Sequence, residues 1–207
     1  MTATQTAASQ QAATPNDVLE WLRAGNERFA SGNSTNRDLL AQAHATAQGQ
    51  FPLAAVLGCI DSRVPIEAVF DVGIGDLFAA RSAGNVVDRD VIGGLEFATE
   101  LAGAKVIVVL GHSACGAVRG ACDGAELGNL TQLLAKIAPA VEAESGGNAA
   151  PGSSDGELVQ RVIATNVVNS IADLRTSDVL SAREASSDLV IVGGIYDLAT
   201  GRVAWQN

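Results

Sequence analysis

Three side chains able to ligate a soft metal stand in two short motifs: Cys59 in Cys59-Ile60-Asp61-Ser62-Arg63, and the pair His112 and Cys115 in Gly111-His112-Ser113-Ala114-Cys115-Gly116. Two thiolates and one imidazole suit zinc. A set of three leaves a fourth position for water or substrate, as a catalytic zinc site does, whereas a structural site is closed by four protein ligands. The whole chain has two histidines, His44 and His112, so no three-histidine site can be built within one subunit. Its three cysteines, Cys59, Cys115 and Cys122, are an odd and sparse set for a disulfide framework, and they read as reduced ligands or buried small side chains. Cys122 has no ligand partner at useful spacing and takes the second reading. His44, on a polar helix, is a solvated bystander. Cys-x-Asp-x-Arg alone and His-x-x-Cys alone are weak signals, and their joint occurrence carries the argument.

The elements that must position these groups follow from the hydrophobic pattern. Short apolar runs at 52–58, 77–81, 106–111 and 189–196 read as four strands, and the near-continuous runs at Val106 and Leu189 suit strands buried on both faces. Helical stretches at 65–70, 90–101, 115–122, 130–144 and 157–175 fall between them. This alternation implies an α/β fold: a central, mainly parallel sheet of about four parallel strands flanked by helices. Residues 202–205, after the turn at Ala199-Thr200-Gly201, add an antiparallel edge strand. Cys59 then follows the carboxyl end of the first strand and His112 that of the third, where open α/β sheets form their ligand crevice. Cys115 opens the next helix, whose positive end favours a thiolate.

Upstream, Thr14 is a suitable N-cap, Pro15 fits the first helical position, and Val18, Leu19, Leu22 and Phe29 recur at helical spacing. With a weaker helix over 37–48 they form an N-terminal helical arm, 14–50, on a single domain, 14–207. The arm is expected to pack on a neighbouring subunit. Residues 1–13 lack a basic start and an apolar core, so they read as a disordered tail rather than a secretion signal. The segment 145–156, SGGNAAPGSSDG, reads as a flexible loop.

Composition removes other function classes. The chain has 207 residues, 47% of them hydrophobic, enough for one domain with a sizeable core. With 13 Lys+Arg against 23 Asp+Glu, its formal net charge of −10 repels phosphate backbones and anionic lipid, so neither nucleic acid nor a membrane is expected as a partner. The absent leader and the reduced cysteines point to the cytoplasm.

Cys59-x-Asp61-x-Arg63 followed by His112-Ser113-Ala114-Cys115-Gly116 resembles the zinc motifs of the β-class carbonic anhydrases, and the resemblance runs from about Asn16 through the last strand. The stretches Leu22-Arg23-Ala24-Gly25-Asn26-Glu27-Arg28-Phe29 and Asp76-Leu77-Phe78-Ala79-Ala80-Arg81-Ser82-Ala83-Gly84-Asn85 are similar to that family as well. The resemblance implies one zinc per chain on Cys59, His112 and Cys115, and reversible hydration of carbon dioxide to bicarbonate by zinc-bound hydroxide. It also implies a homo-oligomer, a dimer or a dimer of dimers, with sites at the subunit interface.

The resemblance assigns further roles. Arg63 is to hold Asp61 off the metal, leaving Asp61 to orient the hydroxide. Gln50 is to hydrogen-bond bicarbonate, Phe78 and Phe97 are to wall the carbon dioxide pocket beside Ala83, and Gly116 is to present its N–H. Ordinary core packing is the competing reading of the two phenylalanines. Val56 stands where the bicarbonate-inhibited branch of the family has tryptophan, so no allosteric pocket of that kind is expected. Two other functions stay open here: hydrolysis of carbonyl sulfide or carbon disulfide on the same scaffold, and a non-catalytic zinc module. The second would be favoured by loss of Asp61 or Arg63, and both are present.

Overall fold

The computed structural model describes residues 3–146 and 152–206. Along the chain lie α1 (Ala7–Ala12), α2 (Pro15–Ala30), α3 (Leu39–Thr46), β1 (Ala54–Gly58), α4 (Ile66–Val69), β2 (Leu77–Arg81), α5 (Arg89–Glu96), β3 (Val106–His112), α6 (Gly116–Cys122), α7 (Gly128–Leu134), α8 (Ala138–Ser145), α9 (Gly156–Leu174), α10 (Asp178–Ala185), β4 (Val190–Tyr196) and β5 (Val203–Gln206). A 3-10 turn occupies Ala83–Asn85 and a π-helical turn Phe97–Leu101.

The strands form one sheet in the order β2-β1-β3-β4-β5. The first four are parallel, and β5 pairs antiparallel with β4 as the expected edge strand. The chain steps from β1 out to β2 and then returns past β1 to β3, so the strand order reverses between β1 and β3. Crevices in open α/β sheets form at such a reversal. Alternate residues of the buried strands serve opposite faces. Val56, Val108 and Leu110 pack with Val18 and Leu22 of α2 and with Phe70 beyond α4. Leu57, Ile107 and Val109 pack with Leu95 of α5, Val167 and Leu174 of α9, and Leu180 of α10.

Helix α2 begins where its sequence requires. The Thr14 hydroxyl accepts from Asp17 N–H while the Asp17 carboxylate accepts from Thr14 N–H, a reciprocal capping box. The helix then sits against α4 on a glycine: a Cβ at Gly25 would lie 1.9 Å from the Phe70 carbonyl oxygen. Asn26 is buried yet fully paired, donating to the carbonyls of Val69 and Gly201 and accepting from Val203 N–H. Val18 and Leu22, on the apolar face of α2, are thereby buried inside their own chain, while Leu19, Trp21 and Phe29 are only partly buried against the same core. On α3, Leu39 and Leu40 remain exposed.

Three other expectations change. Residues 7–12 of the supposed tail form α1, capped by Thr6, and Gln10 Nε2 donates to the carbonyls of Pro52 and Ala102 at 2.7 and 2.8 Å. Composition missed this because polar anchoring to carbonyls leaves no hydrophobic period. The single helix expected over 130–144 is two, α7 and α8, because Pro139 in the first turn of α8 lacks the N–H needed to continue the preceding helix. Helix α10, capped by Ser177, was not anticipated at all. Of the expected loop 145–156, residues 147–151 lie outside the described residues.

Asp71 ties the arm to the sheet. Its carboxylate, 2% exposed, accepts from Arg28 of α2, from Arg37, and from Thr35 N–H and Oγ1 at 3.0 and 2.9 Å. Burial pushes this carboxyl up, but the bonds from Arg37, Arg28 and Thr35 outweigh it and hold the pKa at about 2. A depressed carboxyl contributes its stability above the unfolded pKa and loses it as pH falls through the folded one. Asp71→Asn is accordingly expected to cost about 3 kcal/mol near neutral pH, because two guanidinium groups lose their buried counter-charge. The gap to wild type should stay flat above roughly pH 5 and close between about pH 4 and pH 2. Denaturant melts across pH test this, and a gap that does not change with pH would show that the carboxylate charge is unimportant.

Candidate metal centre

The fold brings both motifs to the reversal between β1 and β3. Cys59 follows the last residue of β1, His112 is the last residue of β3, and Cys115 caps the start of α6. All three are buried, and their ligating atoms lie within 4.8 Å of one another. The two sulfurs are 4.0 Å apart. Tetrahedral zinc with bonds of about 2.3 Å to sulfur requires a separation of about 3.8 Å, so the spacing is already that of a ligand pair.

The imidazole is prepared for the same role. Its Nδ1 lies 3.0 Å from the Ser113 carbonyl, which can only accept, so Nδ1 carries the proton and Nε2 keeps a lone pair. Nε2 is buried and has no hydrogen-bond partner among the described residues. An orphaned buried acceptor costs about 1–3 kcal/mol, and one facing two sulfurs is explained by a cation between them. The residues present therefore fit zinc. The two thiols shift in opposite directions: the bond from Cys115 draws the Cys59 pKa down, and that bond together with burial pushes Cys115 up. One proton shared by two sulfurs is readily displaced by a metal.

Backbone and arginine contacts fix the ligand loops. Gly84 N–H donates to Cys59 Sγ at 3.3 Å. Arg81, at the end of β2, donates from Nε to the Cys59 carbonyl at 2.9 Å and from a terminal nitrogen to the Asp61 carbonyl at 2.7 Å. Between the other two ligands Ala114 takes φ +55, a left-handed turn that lets His112 and Cys115 converge. Ser113 locks that turn to the end of β4 by donating its N–H to the Tyr196 carbonyl and accepting from Leu198 N–H at its hydroxyl.

Asp61 and Arg63 form a planar fork. Arg63 Nε and Nη2 donate to the two carboxylate oxygens at 2.9 and 2.8 Å, and Arg63 N–H adds a third bond at 2.9 Å. The guanidinium also reaches the Ala114 carbonyl at 3.3 Å, so it bridges the two ligand loops. The bonds from Arg63 hold the Asp61 carboxyl well below the usual range. Asp61 Oδ2 stands 3.9 Å from His112 Nε2, beside the centre but turned to the arginine.

Other expected site residues fare differently. Ala83 opens the turn that carries Gly84, and Gly116 is exposed at the start of α6 with open space at its Cα. Phe78 and Phe97 pair edge to face with centroids 6.0 Å apart. Phe78 lies opposite Ala55, three residues before the carboxyl end of β1, and Phe97 is 51% exposed. Gln50 is exposed ahead of the amino end of β1, whose five residues alone span roughly 16 Å. Within one chain, Gln50 is therefore not assembled with Cys59. Val56 is fully buried in the sheet. Sequence reasoning missed Arg81, the Gly84 N–H and the Ser113 carbonyl. Arg81 and Gly84 lay in a stretch already noted, but a backbone donor leaves no residue-type signal.

The chain is similar to known proteins over most of its length. The family description "Carbonic anhydrase" matches residues 54–203. Carbonic anhydrase 2 of Mycobacterium tuberculosis is 37% identical over 205 residues, covering 93% of this chain and 94% of its own. The carbonic anhydrase of Mycolicibacterium smegmatis is 36% identical over 198 residues, covering 91% and 92%. Among solved structures, a tetrameric β-carbonic anhydrase of Sordaria macrospora superposes with a TM-score of 0.72 at 26% identity, covering 92% of this chain and 98% of that one. Similarity of this extent in sequence and fold together places the chain in the β-carbonic anhydrase family.

Proposed function

We propose that Cys59, His112 and Cys115 hold one zinc ion per chain, and that the chain catalyses there the reversible hydration of carbon dioxide to bicarbonate and a proton. The observation that carries the assignment is the buried, unpartnered His112 Nε2 facing two sulfurs 4.0 Å apart. A zinc ion held by these residues would lower the pKa of a bound water and so supply a nucleophile.

The chain's own groups do the rest. Arg63 holds the Asp61 carboxylate turned toward itself by three hydrogen bonds, which would keep it from ligating the ion. Asp61, kept ionised by that fork, accepts a hydrogen bond from the attacking group and turns its lone pair toward the carbon of the substrate. Two thiolates offset the charge of the ion, so activity should rise toward alkaline pH rather than being complete at neutrality.

Gln50 and the Phe78–Phe97 pair complete the pocket from a second copy, since within one chain Gln50 lies beyond the amino end of β1, away from Cys59 at its carboxyl end. A dimer or a dimer of dimers is the working assembly, and the Sordaria macrospora relative is described as tetrameric. Three free cysteines suit a reducing compartment, which we take to be the cytoplasm. Among the described residues no helix is long and apolar enough to cross a membrane.

Cys59→Ser, His112→Ala and Cys115→Ser should each lose most of the zinc and the activity, while Cys122→Ser keeps both. Metal analysis with stopped-flow hydration reads this, and the assignment fails if Cys115→Ser retains zinc. Arg63→Ala should keep zinc but lose about 100-fold or more in kcat, because the freed carboxylate takes or blocks the fourth position. Wild-type rates in Arg63→Ala across the neutral and alkaline range would reduce the fork to a surface ion pair. Mixing Gln50→Ala with Cys59→Ser, each impaired alone, should restore activity in the mixed oligomer. No recovery on subunit exchange would place Gln50 outside the partner's site.

A further inference from the structure

Helix α9 buries two polar side chains among Leu158, Val159, Val162, Ile163, Val167 and Leu174: Asn166 is 2% exposed and Ser170 3%. One turn apart, they project side by side. Apolar residues would fill this space without the cost of desolvating an amide and a hydroxyl, so the polar atoms call for a reason. Both donate to successive carbonyls of one turn, Asn166 Nδ2 to Gly84 O at 2.8 Å and Ser170 Oγ to Asn85 O at 3.1 Å.

That turn is left-handed at two consecutive residues, with φ +67 at Gly84 and +48 at Asn85. The positive φ favours glycine at 84, and a Cβ there would meet Ile137 Cδ1 at 2.7 Å, so a larger residue would force the Ile137 side chain to move. Asn85 does not stabilise the turn through its own amide nitrogen, which is buried without a partner among the described residues. The turn is closed by Asn85 N–H donating to Ser82 O at 2.9 Å, and α9 adds a hold on its two carbonyls; the N–H this arrangement aims is Gly84 N, which donates to Cys59 Sγ at 3.3 Å. A hydrogen bond of this kind withdraws charge from a thiolate, which matters where two thiolates would otherwise neutralise the ion they bind.

Resting on the zinc reading above, we propose that Asn166 and Ser170 are positioning residues that lock the Gly84–Asn85 turn, so that the Gly84 N–H donates to the Cys59 sulfur and sets how firmly that ligand holds the metal and how much charge it donates. The side chains touch neither substrate nor metal. They act through two carbonyls and one N–H.

The test uses the full chain loaded with zinc or cobalt(II): wild type, Asn166→Ala, Asn166→Asp and Ser170→Ala. Asn26→Ala serves as the control, because it breaks an equally buried network on α2 away from the turn. The Asn166 variants should move the sulfur-to-cobalt charge-transfer band to lower energy, weaken metal binding in a chelator competition about 10-fold, and lower kcat with little change in KM. Ser170→Ala should change all three in the same sense but less. Asn26→Ala should lose thermal stability and change none of them. If the Asn166 variants are destabilised but keep the wild-type band and metal affinity, the pair is ordinary core and the inference is overturned. If Asn166→Ala does not fold, the band and affinity of Ser170→Ala decide by the same criteria. A wild type that takes up no metal overturns the zinc reading itself and this inference with it.

Discussion

Two thiols and an imidazole nitrogen within 4.8 Å, all buried, are an unfavourable grouping unless something positive lies between them. The bond from Cys115, helped by the Gly84 N–H, draws the Cys59 thiol toward ionisation, and the imidazole Nε2 has no hydrogen-bond partner among the described residues. Much of the surrounding structure serves to keep these groups converged. The carbonyl of Ser113 fixes the tautomer, Arg81 clamps the backbone after Cys59, Arg63 spans both ligand loops, and α9 holds the turn behind Cys59. Each contact comes from a different element, so the centre depends on the sheet being assembled in its order.

That order explains the location. A parallel sheet that reverses direction between β1 and β3 leaves the two strand ends without a connection crossing over them. Cys59 and His112 emerge side by side there because β1 and β3 are hydrogen-bonded neighbours, Gly58 opposite Leu110. The same adjacency makes both strands fully buried, which keeps the centre dry on its protein side.

The chain uses two arginine-bound carboxylates for opposite purposes. Asp71 is buried among Arg28, Arg37 and Thr35, and what it secures is the N-terminal arm. Asp61 is held by a single, half-exposed arginine beside the ligand cluster, and what it secures is its own orientation. Both carboxyls are depressed. Only the number and burial of their partners separates a structural anchor from a group that a modest change could release.

The Cys-His-Cys trio, the alternating elements and the antiparallel last strand were legible in the chain, because residue type, hydrophobic period and turn chemistry are local properties. The capping box at Thr14 was half legible for the same reason: Thr14 and Pro15 could be read, and the reciprocal bond to Asp17 appears only in the helix. Everything that depends on backbone direction was decided in three dimensions. The left-handed turn at Ala114, the N–H of Gly84 aimed at sulfur and the Gln10 side chain bound to two distant carbonyls have no residue-type signature. Gln50 shows the same limit from the other side: the family resemblance suggests it as a site residue, yet a strand is rigid and extended, so β1 leaves it beyond the opposite end of the strand from Cys59.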